Sequence, residues 1–503
     1  MSKLLAQKGH KVSFISTPRN IERLPSLPSS LSSFITFVSF PLVPFPGSTR
    51  GSECSMDVPY NKQPSLKSAF DLLQKPLTEF LQEESPDWVI YDYAAHWLPP
   101  VAAELGISKA FFSIFNAASL CFLGPPSLLL EGVRSTPEDF TVVPPWIPFQ
   151  SNMAYRYHEV TLVGDKRGKD TNGVSDSARF GYSISESDAV FVHTSTGFEP
   201  EWLGLLKDLY RKPVFPTGFL PTGTEDEVEG DKTWVGIKNW LDKQSINSVV
   251  YVALGTEASL PPAEFTELAH GLEKSEVPFF WVIRNESQIL DGCVERFAGR
   301  GMVHVGWVPQ VKILSHSSVG GFLTHCGWNS LVEGLGFGRV PILFPVLNEQ
   351  GLNTRLLEGK GLGVEIPRDE EKGSFDSDSV AHSVRLAMVD DAGESIRAKT
   401  KLMMGLFGNM DENSRYVDEL VGYMRKKYTK STKVCNLSQV INREGDIHTI
   451  RSQSPRVNTP LPSSPPKPTL GGVWWRNIIN CRKRKAKLSR KRDESESDER
   501  LII

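Results

Sequence analysis

Cysteine is scarce in this chain, and the cysteines that it has stand far apart. No two of them form a C-x-x-C pair, so their spacing suggests neither a zinc site nor a disulfide framework. The six are Cys54, Cys121, Cys293, Cys326, Cys435 and Cys481. This spacing is typical of reduced thiols in a cytosolic protein.

Long apolar runs and an excess of charge are lacking as well. No stretch of about 18 apolar residues occurs, and the N-terminus lacks the apolar core of a signal peptide. The sequence therefore predicts a cytoplasmic protein that does not span a membrane. Its formal net charge is −3, so the chain as a whole has no electrostatic reason to bind nucleic acid. We expect a monomer whose partners are small molecules.

Of the 503 residues, 40% are hydrophobic and 23% are charged. This composition is typical of a globular protein with a hydrophobic core. Apolar runs of strand length alternate with longer helical patterns, which predicts βαβ units and parallel sheets. The predicted strands are 11–16, 34–38, 88–91, 109–113, 189–193, 248–253, 279–283, 320–324 and 341–344. We therefore expect an α/β fold with two Rossmann-like domains that face a cleft.

An acidic segment rich in turn-forming residues separates the two series of strands. We interpret it as the linker between an N-terminal acceptor domain and a C-terminal donor domain, with a further helix after the donor domain that packs back on the first. The predicted boundaries are 1–220 for the first domain, 221–232 for the linker, 233–410 for the second domain and 411–429 for the helix.

From about residue 430 the pattern of the sequence changes. Residues 455–468 carry six prolines, and a basic run from Arg482 to Arg492 precedes an acidic stretch. Charge blocks without apolar spacing rarely fold, so 430–503 is predicted to be a disordered tail. The alternative for the basic run is a nuclear-import or nucleic-acid patch.

The most informative segment runs from Trp307 to Gln350. It contains a predicted strand at 320–324, a glycine-containing turn, and a helix that is expected to open at Asn329. A helix that begins directly after a strand presents free N–H groups and the positive end of its dipole, which suit a pyrophosphate. Ser330 has the chemistry of an N-cap residue, and its hydroxyl is also suited to a phosphate oxygen.

Other side chains of this segment suit the remaining parts of a nucleotide sugar. Trp307 offers a flat face for stacking a base, and Gln310 offers an amide for its polar edge. Glu333, one turn into the helix, is suited to ribose hydroxyls. Glu349 and Gln350 follow the next predicted strand, where a carboxylate and an amide suit sugar hydroxyls. A metal pair at His325 and Cys326 is not favoured, since no further ligands stand at zinc spacing.

The order and spacing of these residues closely resemble the signature box of the plant family 1 UDP-glycosyltransferases. The resemblance extends from about residue 2 to 428 and implies the two-domain GT-B fold, with UDP-sugar as co-substrate and no metal cofactor. It implies that Trp307 stacks on uracil, that Glu333 holds the ribose, and that Glu349 and Gln350 read the sugar. The donor-binding set that it implies is Thr256, Trp307, Val308, Gln310, His325, Trp328, Asn329, Ser330, Glu333, Glu349 and Gln350.

Two further stretches, 87–107 and 345–369, are similar to the branch of the family that adds sugar to sugar. This similarity implies an inverting transferase that moves a hexose or rhamnose from UDP onto a flavonoid or triterpenoid glycoside. Gln350 resembles members that use glucose, whereas the branch also allows UDP-rhamnose. The acceptor is not legible from the sequence.

The catalytic base is the incomplete part of this interpretation. In the family, a histidine after the first strand pairs with an aspartate at the end of a later strand, and Asp92 matches that aspartate. The histidine has no counterpart, because the sequence begins inside the helix that follows it. His10 matches a different family position, and His96 matches none.

The strand that precedes this helix in the family would lie in the middle of the first sheet. Its loss would remove about 10 kcal/mol of burial, comparable to the roughly 5–15 kcal/mol stability of a domain. We therefore keep two alternatives to an active enzyme. One is a donor-binding protein without turnover, and the other is an interaction protein that acts through its basic tail.

Overall fold

The computed structural model describes residues 1–49, 51–164, 170–220, 232–255, 260–283, 297, 299–444 and 500–503. The predicted linker therefore lies outside the described residues, except for Lys232. Thr256 and the basic run Arg482–Arg492 also lie outside them.

The first half of the chain alternates short strands with helices. The strands at 88–91 and 189–192 are apolar and buried at every position, because a parallel strand inside a sheet is covered on both faces. The strands at 11–16 and 35–39 include polar and exposed positions. The elements are α1 Ser2–Gln7, β1 Lys11–Ser16, α2 Pro18–Glu22, β2 Ile35–Ser39, α3 Gln63–Asp71, α4 Gln74–Glu84, β3 Trp88–Tyr91, α5 Leu98–Glu104, β4 Ser108–Ser113, α6 Ala117–Leu123, α7 Pro126–Glu131, α8 Tyr157–Gly164, α9 Asp176–Ser185, β5 Ala189–Val192, α10 Pro200–Tyr210 and β6 Val214–Pro216.

The second half repeats this alternation. Its elements are α11 Lys232–Leu241, β7 Val249–Ala253, α12 Pro262–Lys274, β8 Phe279–Ile283, β9 Gly301–Val305, α13 Gln310–Ser315, β10 Val319–Thr324, α14 Trp328–Gly336, β11 Val340–Leu343, α15 Gln350–Gly359, β12 Val364–Glu365, α16 Ser377–Met388, α17 Glu394–Phe407 and α18 Met410–Glu444, followed at the end of the chain by β13 Arg500–Ile502.

Two sheets result. The first has seven strands in the order β2-β1-β13-β3-β4-β5-β6, and the second has six in the order β12-β11-β10-β7-β8-β9. The predicted α/β class with two parallel halves is confirmed, and all nine predicted strands are present within one residue at each end. The sequence analysis missed β6, β9, β12 and β13, of which three have only two or three residues.

The predicted disordered tail is wrong for two parts of 430–503. The helix α18 continues to Glu444, and residues 500–502 form β13 in the middle of the first sheet. β13 thus occupies the position between β1 and β3, where the sequence analysis expected a strand to be missing. Burial of Leu501 and Ile502, at about 1.5–3 kcal/mol each, offsets part of the expected deficit. A run of three apolar residues beside charged blocks gave no periodic signal.

The core extends through both halves. Trp328 and Leu331 of α14 belong to the same buried cluster as Val190 of β5 and Phe122 of α6. No helix among the residues in the stated ranges is long and apolar enough to cross a membrane.

The helix α18 also crosses between the halves, because it packs on the first half. Its residues Val417, Leu420 and Met424 are buried against Leu5 of α1 and Trp88 of β3. The Trp88 indole N–H donates to the Met424 carbonyl. The end of the second half is thus part of the core of the first half.

Truncating Leu420 tests this packing. Leu420 is fully buried, so Leu420→Ala is expected to lower the free energy of unfolding by about 2–5 kcal/mol. Leu402→Ala is the matched control, since that leucine is 73% exposed on α17 and its loss should change stability by less than about 0.5 kcal/mol. Urea unfolding followed by tryptophan fluorescence measures both. Equal effects of the two substitutions would contradict the packing of α18 on the first half.

Candidate active site

The turn that follows β10 shapes the centre of the site. Cys326 is buried and has a φ of 67°, a left-handed conformation that non-glycine residues seldom adopt. Helix α14 then begins at Trp328, with Gly327 as its N-cap and no side-chain capping bond. The prediction that Ser330 is the N-cap is therefore wrong, because the helix starts earlier. The first N–H groups of α14 are left for a ligand, and they point an electropositive helix end into the site.

The first half of the chain fixes the start of α14. The Trp328 indole N–H donates to the His193 carbonyl at 2.7 Å, and Trp328 is only 2% exposed. The His193 ring accepts from the Leu220 N–H through Nε2 and also hydrogen-bonds the Asn329 side chain. Burial lowers the pKa of His193 to about 4, so this ring is neutral at physiological pH. His193 directly follows β5, and sequence reasoning missed it because it lies outside the recognised box.

A second contact from the first half holds the same turn. The Asn116 side chain donates to Asn353 Oδ1 at 2.7 Å, and Asn353 Nδ2 donates to the Cys326 carbonyl at 2.9 Å. Both asparagines are fully buried. The buried Trp328 and this amide chain therefore form two separate connections between the halves at one turn.

Two glycines make room for the His325 ring. A Cβ placed on Gly255 would lie 2.8 Å from His325 Nε2, and a Cβ on Gly327 would lie 2.6 Å from it. Both distances are shorter than real contacts allow, so the imidazole occupies a slot that only glycine leaves open. Gly255 also has a φ of 78°, whereas Gly327 has an ordinary φ of −61°.

The base and ribose side of the site contains an exposed aromatic ring and a polar network. Trp307 is 69% exposed, which is unusual for a tryptophan and leaves its face open to a ligand. Gln310 is committed within the protein, since its Oε1 accepts from Tyr251 and its Nε2 donates to Glu333 Oε2 at 2.8 Å. Burial raises the pKa of Glu333, and the Gln310 amide opposes that rise.

Two predicted donor residues of this region offer a ligand less than the sequence suggested. The side chain of Val308 is buried in the core around β7, so only its backbone can face a ligand. Ser330 is the third residue of α14, and its Oγ accepts from Gln310 Nε2 at 3.4 Å.

The loop after β11 brings Glu349 and Gln350 to the start of α15. Gln350 is buried, and its Oε1 accepts from the N–H groups of Val346 and Leu347. Only its NH2 group remains for a sugar. Desolvation is the main cause of the raised pKa of the Tyr93 phenol, and the charges of Asp176, Asp92 and Glu349 add to it.

Asp92 directly follows β3 and caps a short 3-10 helix, where its Oδ1 accepts from the Ala94 N–H at 2.9 Å. Its side chain is exposed. Desolvation raises the pKa of its carboxyl against the effect of the Ala94 and Ala95 amides. A carboxylate of this kind has the chemistry to accept a proton from a hydroxyl.

Neither candidate histidine near this strand is directed at Asp92. His10 is 1% exposed and precedes β1, at the opposite edge of the sheet from the carboxyl ends of the strands. His96 Nδ1 lies 3.0 Å from Arg179, whose guanidinium is held by Asp71 and Asp170. Neither ring is assigned as the base.

The structure shows no potential metal site among the residues within the described ranges, where no three His, Cys, Asp or Glu side chains come together. The described cysteines, Cys54, Cys121 and Cys326, are free thiols. The described residues instead include an uncapped helix N-terminus, an exposed indole and an exposed carboxylate. These groups suit an anionic nucleotide and a proton-transfer step.

Known proteins resemble this chain over most of its length. The family model described as UDP-glucoronosyl and UDP-glucosyl transferase matches residues 228–385. UDP-glycosyltransferase 91C1 of Arabidopsis thaliana is 74% identical over 432 residues, which are 86% of this chain and 94% of that protein. Soyasaponin III rhamnosyltransferase of Glycine max is 36% identical over 85% of this chain and 92% of its own length.

A solved structure has the same fold. The crystal structure of Glycyrrhiza uralensis UGT73P12, complexed with glycyrrhetinic acid 3-O-monoglucuronide, gives a TM-score of 0.71 at 22% identity. The match covers 88% of this chain and 95% of that one. The predicted GT-B fold is confirmed.

The fold and the cleft thus define a GT-B glycosyltransferase. The chain belongs to the plant family 1 UDP-glycosyltransferases, enzymes that use a UDP-sugar as co-substrate and transfer sugar to small molecules. The family resemblance deduced from the sequence is confirmed.

Adding one methyl group at Gly327 tests the slot for His325. Gly327→Ala leaves the backbone unstrained but places a Cβ against the ring, so the ring must shift. The shifted His325 ring is expected to lose its implied hydrogen bond to a charged phosphate of UDP. That loss should weaken UDP binding by about 10–100-fold. Gly336→Ala, at the other end of α14, is the matched control, since its Cβ would have no atom nearer than 4.0 Å. Calorimetric titration with UDP measures both variants, and similar affinities would exclude a role for the slot.

Proposed function

We propose that this chain transfers a hexosyl or rhamnosyl group, with inversion, from UDP to a hydroxyl of a glycosylated plant metabolite. The observation that carries the proposal is the uncapped N-terminus of α14, together with the exposed indole of Trp307 and the exposed carboxylate of Asp92. In the proposed arrangement the diphosphate lies at the helix end, with its base on the indole and its sugar near the carboxylate.

In this arrangement the UDP part is held by α14 and its neighbours. The N–H groups of α14 and the side chains of His325, Asn329 and Ser330 bind the diphosphate, together with Thr256. His193 orients Asn329, because its ring already bonds that side chain. Uracil stacks on Trp307, as proposed from the sequence.

The base edge and the ribose meet different groups. Because the Gln310 amide is used by Tyr251 and Glu333, its role is to hold Glu333 toward the ribose hydroxyls rather than to read the base. The backbone of Val308 is then the group that faces the uracil edge.

The sugar lies between the second half and Asp92. Glu349 accepts from sugar hydroxyls, and the NH2 group of Gln350 donates to one. Trp328 shapes this pocket from behind, since its indole is buried and its N–H is already bonded.

The reaction needs one proton transfer and one displacement. As the acceptor hydroxyl oxygen forms a bond to the anomeric carbon, its proton leaves toward the Asp92 carboxylate, directly or through an intervening group. The bond between the anomeric carbon and the UDP oxygen breaks, and UDP departs as an anion. The helix end and the donors around it stabilise that charge without requiring a metal.

The class of acceptor is suggested by the relatives. One is named a soyasaponin rhamnosyltransferase, and two from Ipomoea are named anthocyanidin 3-O-glucoside 2''-O-glucosyltransferases. We therefore propose a triterpenoid or flavonoid glycoside as acceptor, UDP-glucose or UDP-rhamnose as donor, and a cytoplasmic, monomeric enzyme. The direct test incubates the purified chain with both donors and both acceptor classes and detects products by mass. No product from any combination would refute the proposal.

The alternative of donor binding without turnover is kept because Asp92 has no imidazole beside it among the described residues. It predicts UDP binding of ordinary affinity but no product from any acceptor. The basic-tail alternative rests on Arg482–Arg492, which lie outside the described residues, and the family match does not favour it.

Substituting Glu333 tests the proposed ribose contact. Glu333→Gln keeps the shape and an acceptor for Gln310 but removes the charge, so UDP affinity should fall about tenfold or more. The raised pKa of Glu333 gives a second test, because protonation at lower pH should weaken UDP binding to the native protein and leave the variant unaffected. Glu419→Gln, on the exposed face of α18, is the control. If the affinity for UDP changed neither with the substitution nor with pH, Glu333 would not be a UDP contact.

Substituting Asp92 tests the proton-transfer step. Asp92→Asn should lower kcat by about 10²–10⁴-fold and leave UDP affinity unchanged, because the side chain acts on the acceptor rather than on UDP. Since its pKa is raised and the ionised form is active, kcat of the native enzyme should fall as the pH falls through that pKa. Asp208→Asn, exposed on α10, is the control. A kcat that Asp92→Asn leaves intact would show that another group takes the proton.

A further inference from the structure

We propose that the space between β1 and β3 is a strand-acceptor site, and that residues 500–503 occupy it as a ligand that completes the first half. In the first sheet, β1 and β2 connect to β3–β6 only through β13. A segment at the far end of the sequence thus holds the two parts of the sheet together.

The backbone of these residues is bonded on both sides. Toward β1, the Ile503 N–H donates to the Ser13 carbonyl at 3.0 Å, and the Ile15 N–H donates to the Ile503 carbonyl at 2.8 Å. Toward β3, the Asp87 N–H donates to the Arg500 carbonyl at 2.9 Å. Without this segment, two strand edges would face each other unpaired inside the domain, and buried backbone groups without partners are strongly unfavourable.

The side chains of the segment enter both layers of the core. Leu501 is 1% exposed and lies in the cluster of Trp88 and Val417, on the side of α18. Ile502 is 4% exposed and lies in the cluster of Val89 on the opposite face. The site therefore selects an apolar pair that alternates between two buried faces, in parallel orientation to β1 and β3.

Polar contacts at the start of the segment fix its register. The Arg500 N–H donates to Asp87 Oδ2 at 2.8 Å, and the Arg500 guanidinium lies 3.7 Å from Glu84. A shift by one residue would move Leu501 to the face of Ile502 and would break the Asp87 contact. The Asp87 carboxylate therefore fixes the register through a backbone N–H, and sequence specificity comes from the two apolar positions.

The acceptor site is longer than its occupant. β1 has six residues and β13 has three, and a cavity of about 240 Å³ lies beside them. Its lining includes Lys11, Ser33, Glu84 and Arg500. β13 pairs with the first half of β1, from Lys11 to Ser13, and with Trp88 and Val89 at the start of β3.

The first experiment compares the full chain with a variant that ends at residue 499. If the segment completes the sheet, the thermal unfolding midpoint of the first half should fall by at least about 5 °C, in line with the loss of two buried aliphatic side chains. A synthetic peptide of residues 495–503 added in trans should raise the midpoint in a saturable way. The same peptide with Leu501→Asp and Ile502→Asp should have no effect. An unchanged midpoint in the shortened variant would overturn the proposal.

A second measurement covers the case in which the shortened variant does not fold. Hydrogen exchange on the full chain should show the amides of Ile15, Asp87 and Ile503 protected to the level of the central strand β4. Arg500→Ala should retain this protection, because its side chain is exposed. In the Ile502→Asp variant, the amide of Ile15 should exchange at least tenfold faster than in the native chain. Rapid exchange of Ile15 and Ile503 in the native chain would overturn the proposal. Neither readout needs a sugar donor, so its outcome is separate from that of the proposed function.

Light scattering identifies where the occupant comes from. A monomer is expected if each chain fills its own acceptor site. A dimer that disappears on removal of residues 500–503 would show exchange of the segment between copies and would overturn the assignment to the same chain.

Discussion

The buried hydrogen bond between the Trp328 indole and the His193 carbonyl connects the two halves of the molecule at the point where chemistry is proposed. An indole N–H inside a hydrophobic core needs an acceptor, and here the carbonyl that accepts from it belongs to the residue directly after β5 in the other half. Because Trp328 is the first residue of α14, this requirement places the helix N-terminus relative to both sheets. The Asn116–Asn353–Cys326 chain acts on the same turn.

The proposed donor site is for this reason not a property of the second half alone. Most of the residues assigned to it lie between Trp307 and Gln350, but groups of the first half orient the turn before α14. His193 bonds Asn329, and Asn116 bonds Asn353. A change in the packing of the first sheet is therefore expected to reach the N-terminus of α14 through two specific hydrogen-bond paths.

The sequence predicted those parts of the molecule in which the signal is local. Each strand with four or more consecutive apolar residues was found, and the family and its fold followed from one continuous box. The start of α14 was misplaced, because Ser330 has the chemistry of a cap whereas the position of the helix is set by the distant His193. Gln310 was assigned to the base for a similar reason, since its partners Tyr251 and Glu333 are separated from it by 59 and 23 residues.

The failure at β13 has a different physical origin. A parallel strand buried on both faces needs only a short apolar run, and three residues next to a charged segment give no periodicity on which a prediction can rest. A strand is needed at this place because β1 and β3 each have a backbone edge that faces the gap and must be paired. Backbone hydrogen bonding thus gives a stronger argument than side-chain pattern at this position, because every N–H and C=O inside a domain needs a partner whichever part of the chain supplies it. β13 pairs with Trp88 and Val89 at the start of β3, and Asp92, on which turnover is proposed to depend, directly follows the end of the same strand.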